Sequence, residues 1–325
     1  MTTLPIEPLV RQPRKPSLAF SFESATRQLF RTPGGRPFAM RLWFWTTMAV
    51  AVAFLIALPL VAPGWGEFMA VSAEINEATL SGESPDPEAV RAMNATMLRM
   101  APGFLLFSFA PWLAAIAGEG ALHRKLFRDE EYDRIPIRFG RDEFRILLSQ
   151  LAVYGLMFLA YLACALLVLV TFGIGAIVAV PAIPFLMIWI PLRHSTAGAL
   201  SVHDNAIRIK QSRATTKHRA GPLFGAYLFV WFIGYIALNV VMVIAVLLIA
   251  GDANVLLAGT GVGGDGADSV ASFGERLRNP VYMLLAILGI IAYAAVSSLW
   301  YLTQSGIGAY ALRWYEADTP HNVFD

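Results

Sequence analysis

The chain has 325 residues, of which 57% are hydrophobic and 15% are charged, and its formal net charge at pH 7 is +2. A soluble globular domain of this size is far less apolar, so the composition excludes that class. The only cysteine, Cys164, lies in an apolar stretch, which excludes a disulfide framework and a thiolate metal cluster.

The amino-terminal segment, residues 1–41, is polar and rich in proline, and it lacks the apolar core of a cleaved signal peptide. Within it, the apolar residues Phe22, Ala25, Leu29 and Phe30 recur at the spacing of a helix face. We therefore predict an amphipathic helix within residues 20–36 and expect the first apolar span to act as an uncleaved signal anchor.

Six apolar segments follow, each close to the roughly 20 residues that a helix needs to cross a hydrocarbon core. They occupy residues 42–63, 101–122, 146–172, 174–192, 222–250 and 281–303. Only Gly173 separates the third from the fourth, and together they are too long for one crossing, so we predict a hairpin turned at residues 172–175. The predicted fold is an all-α polytopic membrane bundle of six transmembrane helices.

The connecting segments favour three hairpins, each preceded by an amphipathic helix on the cytoplasmic side. Before the third span, apolar residues alternate in an extended piece, and Asp142 and Glu143 then open a helix at its positive end. Before the fifth span, Ile207 and Ile209 lie among basic residues. We predict one membrane domain at residues 42–314, a tail at 315–325, and two short helices at 67–99 that lie over the bundle.

The distribution of Lys and Arg predicts the orientation, because cytoplasmic loops carry the excess of these residues. The amino-terminal segment, the loops after the second and fourth spans, and the tail together hold 21 of the 25 Lys and Arg residues. Only Arg91, Arg99, Arg276 and Arg278 fall on the opposite side. We therefore expect a bacterial inner-membrane protein with both termini in the cytoplasm.

Short motifs before three of the spans carry a resemblance to known proteins. They are residues 20–30, Arg138-Phe-Gly-Arg-Asp-Glu-Phe-Arg145 and Pro222-Leu-Phe-Gly-Ala-Tyr227. With them the chain resembles alphaproteobacterial integral-membrane proteins near the glycerophosphoryl diester phosphodiesterase membrane-domain and YciC-like groups. The resemblance implies a six-helix bundle and no established activity, because the catalytic barrel behind that name is a separate domain.

Glu119 is the one carboxylate inside an apolar span, and intramembrane acids are candidates for a functional role. His123 follows four residues later and Arg124 is close, so the preferred interpretation is a structural pair at the interface. Three further polar residues in spans are interpreted as hydrogen-bonding groups between helices: Gln150, Asn239 and Gln304.

No motif predicts a metal or cofactor site. The Gly-rich residues 259–271 match the calcium-binding nonapeptide once, but such sites form between stacked repeats, so we interpret them as a flexible loop and leave calcium binding open. The intervals between His194, His203 and His218 are too long for a zinc site.

We expect a non-catalytic structural or accessory membrane component that binds phospholipid or a partner membrane protein, with no cofactor and no nucleic-acid partner. Its candidate contacts form a basic ring at the inner headgroup level: Arg27, Arg31, Arg138, Arg141, Arg208 and Lys210. The alternative is a small-solute or lipid transporter that uses Glu119 and the fourth span, which Pro181, Pro184 and Pro191 should kink.

The predicted topology can be tested with reporter fusions. A reporter placed after Asp325 or within residues 124–133 should register as cytoplasmic, and one within residues 74–88 or 259–268 should register as periplasmic. A periplasmic carboxy terminus would require an odd number of crossings and would contradict the six-span topology.

Overall fold

The computed structural model describes residues 20–132, 134–217, 219–250 and 279–318, and these residues form α-helices and no β-strand. Six of the helices are long and apolar enough to cross a membrane, so the predicted all-α polytopic membrane bundle is confirmed. The Gly-rich loop at 259–271 and most of the predicted tail lie outside the described residues.

Nine α-helices are described, and a 3-10 turn at Gln28–Arg31 follows the first of them. Their bounds are α1 Phe22–Thr26, α2 Gly35–Leu80, α3 Pro87–Arg128, α4 Arg141–Val170, α5 Ala176–Arg193, α6 Ala197–His203, α7 Ile209–Thr215, α8 Ala220–Ala250 and α9 Pro280–Asp318. The spanning helices pair in sequence as α2–α3, α4–α5 and α8–α9, which gives the three predicted hairpins.

The first hairpin is longer than a membrane is thick. Helix α2 has 46 residues, which at 1.5 Å per residue is about 70 Å. The prediction of two short helices over the bundle at 67–99 is wrong, because these residues continue α2 and α3 without a break until the turn before Pro87. An ion pair between Arg99 and Glu67, 2.7 Å apart, links the two extensions.

The second hairpin turns where the sequence predicts it, between Val170 and Ala176. Phe172 and Gly173 adopt positive φ angles of 50° and 92°, and Thr171 Oγ1 accepts a 2.6 Å hydrogen bond from the Gly175 amide. Helix α4 begins as predicted after Gly140, whose amide donates to the Glu143 carboxylate at 2.8 Å.

The third hairpin places α9 in the middle of the bundle, where it packs against α2, α3, α6 and α8. Small residues such as Ala294 and Ala309 are fully buried along it, which lets the neighbouring helices approach closely. The Trp43 indole of α2 donates to the Ala295 carbonyl at 2.8 Å, which fixes α2 against α9.

Short helices cover one end of the bundle, where α2 begins and α3 ends. We call it the basic end, because the cations that follow α1, at 27–31, and those of the segments 134–141 and 208–217 lie there. Helix α1 packs on α9, with the Ser21 amide donating to the Tyr310 hydroxyl at 3.1 Å. Helix α6 packs against α3, α4 and α9. An amphipathic helix thus precedes the first and third hairpins, but an extended segment at 134–140 precedes the second.

Candidate functional site

A cavity of about 480 Å³ lies between the α4–α5 hairpin and the α8–α9 hairpin. Its walls are apolar and aromatic, formed mainly by Val153, Tyr154, Met187, Ile188, Phe224 and Trp231. Tyr154, Ile188 and Trp231 are about half exposed on the outside of the bundle. Because these residues belong to helices that are long and apolar enough to span a membrane, the cavity opens on the side of the bundle.

Glu119 of α3 forms the floor of this cavity and is only 7% exposed. Its Oε2 atom accepts a 2.6 Å hydrogen bond from the Tyr301 hydroxyl and a 2.9 Å bond from the Gln150 side-chain amide. The floor therefore joins three helices, α3, α4 and α9, through one carboxylate oxygen.

Gln150 connects this carboxylate to its surroundings. Its Nε2 also donates to the Tyr301 hydroxyl at 2.6 Å, and its Oε1 accepts from the Trp112 indole at 2.7 Å. We call Trp112, Glu119, Gln150 and Tyr301 the Glu119 cluster. Both amide hydrogens of Gln150 and the hydroxyl hydrogen of Tyr301 are used within the cluster.

The other carboxylate oxygen faces a glycine and a histidine. Glu119 Oε1 lies directly over Gly198 of α6, so a Cβ atom at that position would require the carboxylate to move. His123 Nδ1 is 3.9 Å from Oε1, and the opposite ring nitrogen faces the Ser305 carbonyl at 3.5 Å. A neutral imidazole that donates to this carbonyl has no proton left for Glu119.

A fully buried ion pair positions the floor. Arg124 of α3 and Glu143 of α4 have side-chain exposures of 0% and 1%, and their charged groups are in direct contact. The Arg124 Nε also donates to the Tyr132 hydroxyl at 3.1 Å and lies 3.3 Å from Glu130. Burial raises the pKa of the Tyr132 hydroxyl, which stays protonated and donates to the Ala121 carbonyl at 3.3 Å.

A second ionic group joins the same helices one turn closer to the basic end. Arg128 of α3 and Arg145 of α4 both bind the Asp142 carboxylate, at 2.8 Å and 2.9 Å. Both guanidinium groups also donate to the Asn205 side chain, at 2.7 Å and 3.1 Å. The two groups together hold α3, α4 and the segment after α6 in one register.

The structure places Glu119, the candidate polar site, in the cavity floor and 3.9 Å from His123, whereas a pair of Glu119 with Arg124 is not formed. Arg124 binds Glu143 on the opposite side of α3, so it does not pair with Glu119. Gln150 does join helices as predicted, whereas Asn239 donates to Tyr235 of its own helix at 2.7 Å.

The six residues of the predicted basic ring are exposed at the basic end. Four of them form ion pairs with acidic neighbours. Arg27 and Arg31 both bind Glu23, at 2.8 Å and 3.4 Å. Arg138 binds Glu130 at 2.9 Å, and Arg208 lies 3.5 Å from Asp204. The remaining two members, Arg141 and Lys210, are exposed on the same end.

The fourth span brings one of its three prolines to the cavity. Helix α5 contains Pro181, Pro184 and Pro191, and Pro191 lines the cavity together with Met187 and Leu192.

The sequence analysis did not predict Tyr301 and Trp112 as site residues. Each has an apolar aromatic ring with one polar atom, which suits a site that is partly polar. Within the part of the chain that is described, His, Cys, Asp and Glu form no group of three that could hold a metal ion.

No family model matches this chain, and neither a curated protein nor a solved structure matches it significantly. The resemblance based on short motifs therefore stays a prediction.

The buried pair predicts a large loss of stability when one partner is neutralised. Glu143→Gln leaves the Arg124 guanidinium buried without its counter-charge, so the free energy of unfolding should fall by about 3–5 kcal/mol. Titration of the purified protein with SDS, followed by circular dichroism, measures this change.

The matched control is Glu67→Gln, which removes an exposed carboxylate from the Arg99 pair. Exposed pairs contribute about 0–1 kcal/mol, so this variant should unfold almost as the unmodified protein does. Equal losses in the two variants would show that the Arg124–Glu143 pair does not hold α3 against α4.

Proposed function

We propose that this chain is a non-catalytic integral membrane protein that holds a membrane phospholipid in the cavity between its second and third hairpins. The observation that carries the proposal is the distribution of polarity in that cavity. Apolar walls open toward the hydrocarbon region, and the polar groups are concentrated on the floor around Glu119. This arrangement matches a molecule with acyl chains and one polar end.

The walls favour an amphipathic ligand over a small water-soluble one. Phe224, Leu228 and Trp231 of α8 face Tyr154 of α4 across the opening, so a polar solute would meet apolar and aromatic surface first. The volume of about 480 Å³ lies within the range of roughly 300–1,000 Å³ that is usual for ligand sites. It suits part of a lipid, with the remaining chain in the bilayer.

The bonding of the floor supports binding over catalysis. The Tyr301 hydroxyl donates to the Glu119 carboxylate, and Gln150 donates to both groups. Among the described residues of the floor, no Ser or Cys side chain is hydrogen-bonded to a histidine, the usual base of a covalent mechanism. The floor is better suited to recognise a polar group than to transform one.

We place the protein in the inner membrane with both termini in the cytoplasm, on the charge asymmetry of the sequence. The basic end then faces the cytoplasm. Each exposed cation near an anionic surface contributes about 1 kcal/mol of attraction. Arg141 and Lys210, which have no acidic neighbour at ion-pair distance in the described part of the chain, are the members of the basic ring best placed to bind anionic headgroups or an acidic partner.

The lipid site can be tested by filling it. Val153 is half buried and lines the cavity, so Val153→Trp should occupy the space of the lipid. Overpacking costs about 1–3 kcal/mol, which corresponds to roughly 5- to 150-fold weaker retention of the lipid. Mass spectrometry of lipid extracted from the detergent-purified protein, per mole of protein, measures the change.

Leu156→Trp provides the control on the same helix. Leu156 is 39% exposed and lies outside the cavity lining, so its replacement should leave lipid retention unchanged. Retention that is the same in the two variants and in the unmodified protein would contradict the proposed site.

A second candidate function is lipid or solute transport, and one observation favours it. Glu119 and the proline-containing helix α5 line the same cavity, as the transporter interpretation requires. Transport predicts that the reconstituted protein moves fluorescent phospholipid between leaflets and that Glu119→Gln abolishes this flux at unchanged stability. A holding role predicts no flux, and a loss of about 1–2 kcal/mol in stability on the same change.

A further inference from the structure

The Glu119 cluster has more hydrogen-bond acceptors than donors. A carboxylate offers about four acceptor positions. Tyr301 and Gln150 fill two of them, and the Ser305 side chain approaches as a third donor. The donor hydrogens of Gln150 and of the Trp112 indole are already used inside the cluster. The unused capacity of the Glu119 carboxylate itself is therefore that of an acceptor, so it favours a ligand that donates.

The charge of the cavity lining also favours a ligand that donates hydrogen bonds and is not anionic. Among the described residues that line it, Glu119 is the only Asp, Glu, Lys or Arg. The closest arginine along the helix, Arg124, is bound to Glu143 and does not line the cavity. An anionic phosphate at the floor would meet a carboxylate and no fixed cation, which is unfavourable at low dielectric.

We infer that the cavity selects a lipid whose headgroup ends in a primary ammonium group, with its N–H bonds directed at the Glu119 carboxylate. This inference rests on the proposed lipid-holding function and specifies its ligand. A primary ammonium group supplies both the positive charge and the N–H donors that the floor lacks. A trimethylammonium group supplies the charge without a donor, and a glycerol headgroup supplies donors without the charge.

The distance of Glu119 from the basic end of the bundle fits a headgroup from the membrane leaflet on that side. Glu119 is nine residues from the end of α3 at Arg128, and Gln150 is nine residues from the start of α4 at Arg141. At 1.5 Å per residue, both lie about 13 Å from the basic ends of their helices. The ammonium group reaches the floor while its acyl chains pass out through the side opening between Tyr154 and Trp231.

The test offers the full-length protein equal amounts of phosphatidylethanolamine, phosphatidylcholine and phosphatidylglycerol in mixed micelles. The lipid retained after gel filtration is identified by mass spectrometry. A charge-assisted hydrogen bond should enrich phosphatidylethanolamine about tenfold over phosphatidylcholine. In Glu119→Gln this preference should disappear, because retention of phosphatidylethanolamine should fall about tenfold, to the level of phosphatidylcholine. Glu67→Gln, which removes an exposed carboxylate in the extension of α2, should keep the preference.

A competition on the unmodified protein avoids dependence on the folding of the variant. Dodecylamine should displace bound phosphatidylethanolamine at about tenfold lower concentration than dodecyltrimethylammonium does. Equal potency of the two amphiphiles, or equal retention of the three phospholipids, would overturn the ammonium inference.

The experiments distinguish a failure of the lipid-holding function from a failure of the ammonium inference alone. If lipid is retained without headgroup preference and Val153→Trp removes it, the cavity binds lipid and only the ammonium inference is wrong. If Val153→Trp leaves retained lipid unchanged, the lipid-holding function itself is contradicted, whatever headgroup is found.

Discussion

The buried contact between Arg124 and Glu143 is the interaction on which the rest of the arrangement depends. It removes two charges from water, and this is tolerated because Tyr132, Glu130 and the Gly140 amide supply further polar contacts. In doing so it fixes α3 against α4. It also holds the Arg124 guanidinium away from Glu119, so among the described residues of the cavity lining this carboxylate has no fixed counter-charge.

Much of the fold follows from local patterns in the sequence. Apolar length gives the six spans, and Gly173 with its neighbours gives the turn of the second hairpin, because a positive φ angle is cheapest at glycine. The long extensions of α2 and α3 do not follow in this way. Pro63 and Gly64 suggest an end to α2, but the helix continues because α3 packs along it to the final turn.

The site could be predicted only in part. Glu119 is recognisable as a carboxylate in an apolar span, but its partners are 31 and 182 residues away and leave no local signal. Proximity in sequence misled the assignment to Arg124. Five positions along a helix of 3.6 residues per turn correspond to a rotation of about 140°, so the two side chains point to different neighbours.

The polar groups of the cavity lie on the side of the basic end, and this position determines which leaflet of the bilayer can supply a ligand. Because Glu119 and Gln150 lie at the same distance from the basic end of their helices, a lipid headgroup bound there would reach them from one leaflet only. A headgroup from the other leaflet would first have to cross the apolar centre, which is costly for a charged group. The site would therefore take lipid from the leaflet at the basic end only. Bound lipid would exchange by lateral diffusion within that leaflet, without any movement of headgroups across the membrane.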